Sequence, residues 1–249
     1  MKTNIVAANW KMYKTPDEAA AFLTKFLELV SKGNQEQVYI FPSTVCLQVA
    51  KDVLVGKSSK IKIGAQNAHT EDEGAFTGET SAKTLKAMEM DAVLVGHSER
   101  RTLFKESDEF LAKKLKTVQS HSLTPMFCIG ETLEQRKNGK TFDVLKEQLE
   151  VGLKYLDKSA PLIVAYEPVW AIGTGEVATP EQAQEAHAFV RKTLKDITGN
   201  DQWRILYGGS VKPENAQDLI SKPDIDGFLV GGASLKPESL AEICKIALT

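Results

Sequence analysis

Eight short apolar runs, separated by longer amphipathic stretches, limit what this chain can fold into more than any other feature. They are Asn4–Ala8, Val38–Phe41, Ile61–Ala65, Ala92–Val95, Pro125–Ile129, Leu162–Tyr166, Arg204–Tyr207 and Gly227–Val230. They are rich in Val, Ile and aromatics, and several are apolar at nearly every position. A strand with one wet face alternates apolar and polar residues. A strand apolar throughout is buried on both faces, as in a parallel sheet covered by helices.

The intervening stretches carry helix signals. Thr15-Pro16-Asp17-Glu18 supplies an N-cap, a proline at the first helical position and a capping-box glutamate. Beyond it Phe22, Phe26 and Val30 recur with Leu23 and Leu27 at helical spacing, and Thr179-Pro180-Glu181-Gln182 repeats the start signal. Leu111, Leu115 and Val118 form another stripe, with lysines expected on the opposite, solvated face. Pro213 and Pro237 each open a further helix-compatible stretch.

Eight strand-and-helix units of about thirty residues need roughly 240 in all, against a chain of 249. No linker or low-complexity tract interrupts the alternation, so residues 1–249 are expected to form one domain. An open, doubly wound sheet fits the alternation almost as well. It would carry a glycine-rich phosphate fingerprint after its first strand, where this chain has Asn9-Trp10-Lys11. A closed α/β barrel with a parallel eight-stranded core is therefore the expected fold.

Composition narrows the function. The net charge of −2 leaves no basic footprint for nucleic acid or for an anionic membrane. Cys46, Cys128 and Cys244 are odd in number and lack CxxC spacing, which argues against a disulfide framework. The four histidines lack metal-site spacing, so no metal is expected. The N-terminal apolar run is too short for a signal peptide, and no stretch reaches the roughly 18–20 apolar residues of a membrane span. The expected location is the cytoplasm.

Barrels place their chemistry on the loops at the carboxyl ends of the strands. Asn9 and Lys11 follow the first run, and Gly96-His97-Ser98-Glu99-Arg100 the fourth. Glu167-Pro168 follows the sixth, Gly208-Gly209-Ser210 the seventh and Gly231-Gly232-Ala233-Ser234 the eighth. Glu167 at a dry strand end reads as a general base or, equally, as a structural carboxylate. His97, at the start of a short helix, reads as a neutral hydrogen-bond donor or as a buried histidine satisfied by backbone. Lys11 brings a positive charge to the mouth or is a solvated loop lysine; Asn9 holds Lys11 or a substrate oxygen. The two glycine clusters suit a phosphate, because bare backbone lets amides approach an anion. Pro168-Val169-Trp170-Ala171-Ile172-Gly173-Thr174-Gly175-Glu176-Val177-Ala178 is long for such a loop and reads as a lid, or as a surface loop anchored by Trp170. Together these groups describe proton abstraction beside a carbonyl in a small phosphorylated substrate.

Six stretches, in order along the chain, resemble the triosephosphate isomerase family. They are Asn9-Trp10-Lys11-Met12, Gly74-Ala75-Phe76-Thr77-Gly78-Glu79, Gly96-His97-Ser98-Glu99-Arg100-Arg101, Ala165 through Gly175, Tyr207-Gly208-Gly209-Ser210-Val211 and Gly231-Gly232-Ala233-Ser234-Leu235. The resemblance implies a single (β/α)8 TIM barrel without cofactor. It implies interconversion of dihydroxyacetone phosphate and glyceraldehyde 3-phosphate through an enediolate, a step of glycolysis and gluconeogenesis. In that family's terms Glu167 moves the carbon-bound proton, neutral His97 polarises the carbonyl, and Lys11, supported by Asn9, offsets the developing charge. Amides of Gly173, Ser210, Gly231 and Gly232 hold the phosphate under the lid. The loop at Phe76, Thr77 and Gly78 reaches into a partner subunit, which implies a homodimer. Glu99 is a secondary carboxylate near the site, and Cys128 is packing. Two positions depart from the family's commonest pattern. Glu176 stands where many members carry lysine, and Tyr13 where asparagine is frequent.

Overall fold

A computed structural model describes residues 3–172 and 176–248. Among them eight parallel strands close into a barrel in sequence order. These are β1 (Ile5–Asn9), β2 (Val38–Phe41), β3 (Lys62–Ala65), β4 (Ala92–Val95), β5 (Thr124–Ile129), β6 (Ile163–Tyr166), β7 (Arg204–Tyr207) and β8 (Gly227–Val230). Closure is made by β8 against β1, with Ile5 opposite Gly227 and Ala8 opposite Val230. All eight apolar runs are strands, within one residue of the boundaries expected from hydropathy.

The helices that cover the barrel are α1 (Pro16–Leu29), α2 (Leu47–Gly56), α3 (Ala82–Ala87), α4 (Ser98–Thr102), α5 (Asp108–Ser120), α6 (Leu133–Lys137), α7 (Thr141–Gly152), α8 (Pro180–Thr198), α9 (Pro213–Ile220) and α10 (Pro237–Ala247). The local signals act as read. Thr15 and Glu18 form a reciprocal capping box on α1, and Thr179 and Gln182 form one on α8. Pro213 and Pro237 open α9 and α10. No described helix is long and apolar enough to cross a membrane.

Two cores result, one inside the strand wall and one outside it. The inner core holds Ile5, Ala7, Tyr39, Phe41, Ala92, Leu94, Met126, Cys128, Ile163, Ala165, Leu206 and Leu229. The outer core joins the alternate strand residues to the helices. This explains the continuous apolar runs: inward and outward positions are both dry. Lys62, the inward-side exception, sits at the amino end of β3 and donates to the Tyr39 hydroxyl at 3.0 Å, away from the mouth.

The α5 stripe needs one correction. Leu111, Leu115 and Val118 are buried as expected, but Lys114 is not on the solvated face. It is 1% exposed and donates to Glu106 and to Asn67, both at 2.7 Å. Arg100 donates to the same Glu106 carboxylate, also at 2.7 Å. A lysine is tolerated there because its charge is paired and hydrogen-bonded.

Candidate active site

The carboxyl ends of β1, β4, β6, β7 and β8 surround one cavity of about 590 Å3. Its wall includes Asn9, Lys11, His97, Glu167, Ser210, Gly231 and Gly232. Residues up to 223 positions apart in the chain are thereby gathered by barrel closure. Ile172 of the long loop also lines the cavity, while Gly173, Thr174 and Gly175 lie outside the described residues.

Glu167 leaves β6 with its amide bound to the Ile129 carbonyl of β5 at 2.7 Å. Its seat exists because two neighbours lack side chains. A Cβ on Gly130 would lie 1.7 Å from the Glu167 carbonyl oxygen, and one on Gly208 would lie 2.9 Å from its Cγ. The carboxylate is 2% exposed. Oε2 accepts the Ser98 amide at 2.8 Å, and Oε1 lies 3.1 Å from His97 Nε2.

His97 caps α4 with its own ring: Nδ1 accepts the Glu99 amide at 3.3 Å. A nitrogen that accepts a hydrogen bond carries no proton, so the proton of this imidazole sits on Nε2, facing Glu167. Nε2 thereby presents the ring's donor to the cavity.

Lys11 adopts a left-handed backbone conformation, φ 51°, just past β1. Two bonds to its own backbone, one of them from a side chain also tied to β2, hold it there. Its amide is taken by Asn9 Oδ1 at 3.0 Å, and Gln66 Nε2 donates to both the Lys11 carbonyl (2.7 Å) and the Phe41 carbonyl (2.9 Å). The ammonium meets Glu99 Oε1 at 2.5 Å, a half-exposed pair at the rim. Asn9 thus holds Lys11, one of the two roles its position allowed.

Across the cavity the wall is backbone. Ser210 lies just past β7, and a short 3-10 turn, Gly232–Leu235, follows β8. Nothing lies within 4 Å of a Cβ built on Gly232, so the space beside its α-carbon is open.

The long loop begins as a 3-10 turn at Val169–Ala171. Trp170 is anchored through Nε1 to Glu131 Oε1 at 2.9 Å, and Arg136 stacks 4.7 Å from the Trp170 ring centre. Glu131 is fully buried and also accepts the Tyr166 hydroxyl at 3.1 Å and Arg136 Nη1 at 3.2 Å. Burial and the Glu131 charge push the Tyr166 phenol well above its ordinary range, so it stays a donor. Glu131 and Gln66 were missed in the sequence. Each follows an apolar run, after β5 and β3, and the loop rule that selected Glu167 applies to both.

The other candidates lie away from the cavity. Phe76 is half-exposed and packs against the His69 ring at 4.2 Å between centres. Cys128 is fully buried, and burial, helped by the Glu167 charge, pushes its thiol well up. A thiol so held stays protonated and is no nucleophile. His187 is buried with Nδ1 against the Asp224 carbonyl at 3.2 Å, and His121 pairs with Asp72 at 2.6 Å.

Comparison with known proteins agrees over the whole chain. Residues 4–247 match the family profile described as triosephosphate isomerase. A triosephosphate isomerase of Bdellovibrio bacteriovorus is 52% identical over 242 residues, covering 97% of this chain and 99% of the relative. Those of Fusobacterium nucleatum and Clostridium perfringens are 49% and 48% identical, with 98% of this chain and 99% of each relative covered.

Proposed function

Because the chain belongs to the triosephosphate isomerase family and so is an isomerase of triose phosphates, we propose that it interconverts dihydroxyacetone phosphate and glyceraldehyde 3-phosphate with Glu167 as base and His97 as neutral electrophile. The observation that carries this reading is the His97 geometry: Nδ1 is occupied by the Glu99 amide, and Nε2–H faces the cavity and Glu167.

The ketose binds with its phosphate against the amides of Ser210, Gly231 and Gly232, with Gly173 completing the cradle. Its carbonyl oxygen takes the Nε2–H of His97, displacing the Glu167 oxygen that occupies that donor now. Glu167 removes a proton from the carbon beside the carbonyl, and the electron pair moves onto the oxygen to give the enediolate. Lys11 neutralises part of that charge, since a fixed cation in a dry cavity acts more strongly than in water. His97 passes its proton to one oxygen and recovers one from the other; Glu167 returns the carbon proton to the neighbouring carbon. Closure from Pro168 to Ala178 excludes water, which opposes loss of phosphate from the enediolate.

In this reading residues 1–249 act as one domain, without metal or cofactor, in the cytoplasm, within glycolysis and gluconeogenesis. The chain pairs as a homodimer through the loop at Phe76, Thr77 and Gly78. The exposed side chains of Met12, Tyr13, Leu103 and Phe104, together with half-exposed Phe76, give such an interface apolar surface.

The test is turnover of glyceraldehyde 3-phosphate, followed by an NADH-consuming dehydrogenase that reduces dihydroxyacetone phosphate, with EDTA present. Native protein should turn over rapidly. Glu167→Gln should lose roughly 10^2–10^4-fold in kcat with KM nearly unchanged. A folded native protein without turnover would refute the assignment.

A further inference from the structure

Lys14 does nothing in the reaction just described, yet it is held with unusual care. It is a non-glycine residue at φ 74°, a conformation that persists where surroundings over-determine it. Its ammonium sits 4.7 Å from the Phe22 ring centre and 5.3 Å from that of Trp10, two rings themselves packed edge to face at 4.8 Å. The same ammonium donates to the Leu235 carbonyl at 3.0 Å. Its own carbonyl accepts the Cys46 thiol at 3.3 Å. The carboxylate of the neighbouring acid, Glu18, accepts the Thr15 amide and hydroxyl. Among the described residues no carboxylate lies within 4.0 Å of the Lys14 ammonium. The cation is spent on two aromatic faces and one carbonyl.

That carbonyl ends the 3-10 turn that begins at Gly232. The turn is closed on itself, with the Ser234 amide and hydroxyl both donating to the Gly231 carbonyl, at 2.8 and 2.7 Å. Holding Leu235 therefore holds Gly231 and Gly232. On the other side, Lys14 is three residues from Lys11, whose Cε comes to 3.6 Å from a Cβ built on Gly231. The first-strand loop and the β8 turn are neighbours at the cavity, and Lys14 is a cross-link behind them.

We propose that Lys14 is a positioning residue that ties the β1 loop to the turn after β8 and thereby sets the gap between the Lys11 cation and the Gly231 and Gly232 amides. The proposal rests on the reading that these amides hold the substrate's phosphate. Lys14 touches no substrate; it fixes where the phosphate sits relative to the reacting carbons. A misplaced phosphate weakens capture first, because the base and the electrophile stand on other strands.

Lys14→Met keeps an unbranched apolar side chain and removes the charge and the donor, whereas Lys14→Arg keeps both. Gly232→Pro measures the cradle itself, since proline at the first position of a turn deletes one amide and its Cβ meets open space. Each variant is assayed for KM, kcat and competitive inhibition by inorganic phosphate, with a thermal melt beside it. In Lys14→Met, KM and the phosphate inhibition constant should rise together by about fivefold while kcat stays within about twofold. Lys14→Arg should recover most of the loss. A purely structural lysine would lower the melting temperature and leave KM and phosphate inhibition unchanged. That result, with Gly232→Pro still weakening phosphate, overturns the role of Lys14 alone. A Gly232→Pro protein that is inhibited by phosphate as strongly as the native one overturns the cradle reading and the proposal with it.

Discussion

The two ends of the barrel use the same kinds of residue to opposite purpose. At the amino end, Asp226 precedes β8; its Oδ2 accepts the Ile205 amide and Arg191 Nη2, both at 2.8 Å. Asp224 takes Arg191 Nε at 2.7 Å and Gln184 Nε2 at 2.6 Å, and its carbonyl takes Arg191 Nη2 at 2.9 Å. Each of these carboxylates is tied by a guanidinium and by a further donor. At the carboxyl end, Glu167 holds one backbone amide and one imidazole nitrogen, and Lys11 holds one rim carboxylate. Glu167 accepts as many bonds as either aspartate, but among the described residues none of them comes from a lysine or arginine. Carboxylates held by a fixed cation lock strands; one without such a partner remains available to a substrate. The difference lies in what surrounds each carboxylate, not in residue type.

The largest effects that sharpen this contrast come from exchanging stability for activity at the two ends. His97→Asn should lower kcat roughly 10^2–10^3-fold, the loss expected for one donor to a developing oxyanion, with little change in melting temperature. Arg191→Met should do the reverse. It leaves Asp226 buried and Asp224 half-buried without their cation, at a cost of about 3 kcal/mol, read from denaturant midpoints, with kcat per folded molecule unchanged. A large activity loss in the arginine variant, at temperatures where it is folded, would break the contrast.

A pH effect of similar size belongs to the amino end. Burial pushes His187 down to about 4 from an ordinary value of 6.5, partly offset by its bond to the Asp224 carbonyl and by the Asp226 charge. Between those two values the unfolded chain binds the extra proton. Stability contributed by this group is therefore complete above about pH 6.5 and falls as pH drops toward 4, by roughly 3 kcal/mol in all. Stability curves at pH 7 and pH 4.5 should converge for His187→Asn relative to native. Equal pH slopes in the two proteins would exclude this histidine as the source.

The smallest effect is expected at Glu176, in the loop proposed as a lid. Glu176→Lys should raise kcat/KM by about twofold at low salt by removing negative charge from the path of an anionic substrate, and the gain should vanish at high ionic strength. No change at low salt would show that Glu176 is electrostatically silent in capture.

The legible parts of the sequence are those with local causes. Strand identity follows from apolar runs, helix starts from capping boxes at Thr15 and Thr179, and the family from motifs at the strand ends. Lys114 shows the limit. Its position in α5 marks it for solvent, and only Glu106 and Asn67, brought from other segments, make its burial tolerable. Glu131 shows the same from the other side: its place two residues past β5 marks it as a loop candidate, but only the convergence of Tyr166, Trp170 and Arg136 makes it the anchor of the long loop.

By itself, then, the sequence determined the alternation of strand and helix and marked the groups that follow the strand ends, because periodicity, capping and motif order are encoded within a few residues of each other; closure itself comes from the pairing of β8 with β1. The tertiary structure decided which atoms meet. His97 Nε2 faces Glu167 across 70 positions, and Lys14 reaches the Leu235 carbonyl across 221. Those contacts depend on the register at which eight strands close, and a hydrogen bond that discriminates over a few tenths of an ångström is set by that closure rather than by any local pattern.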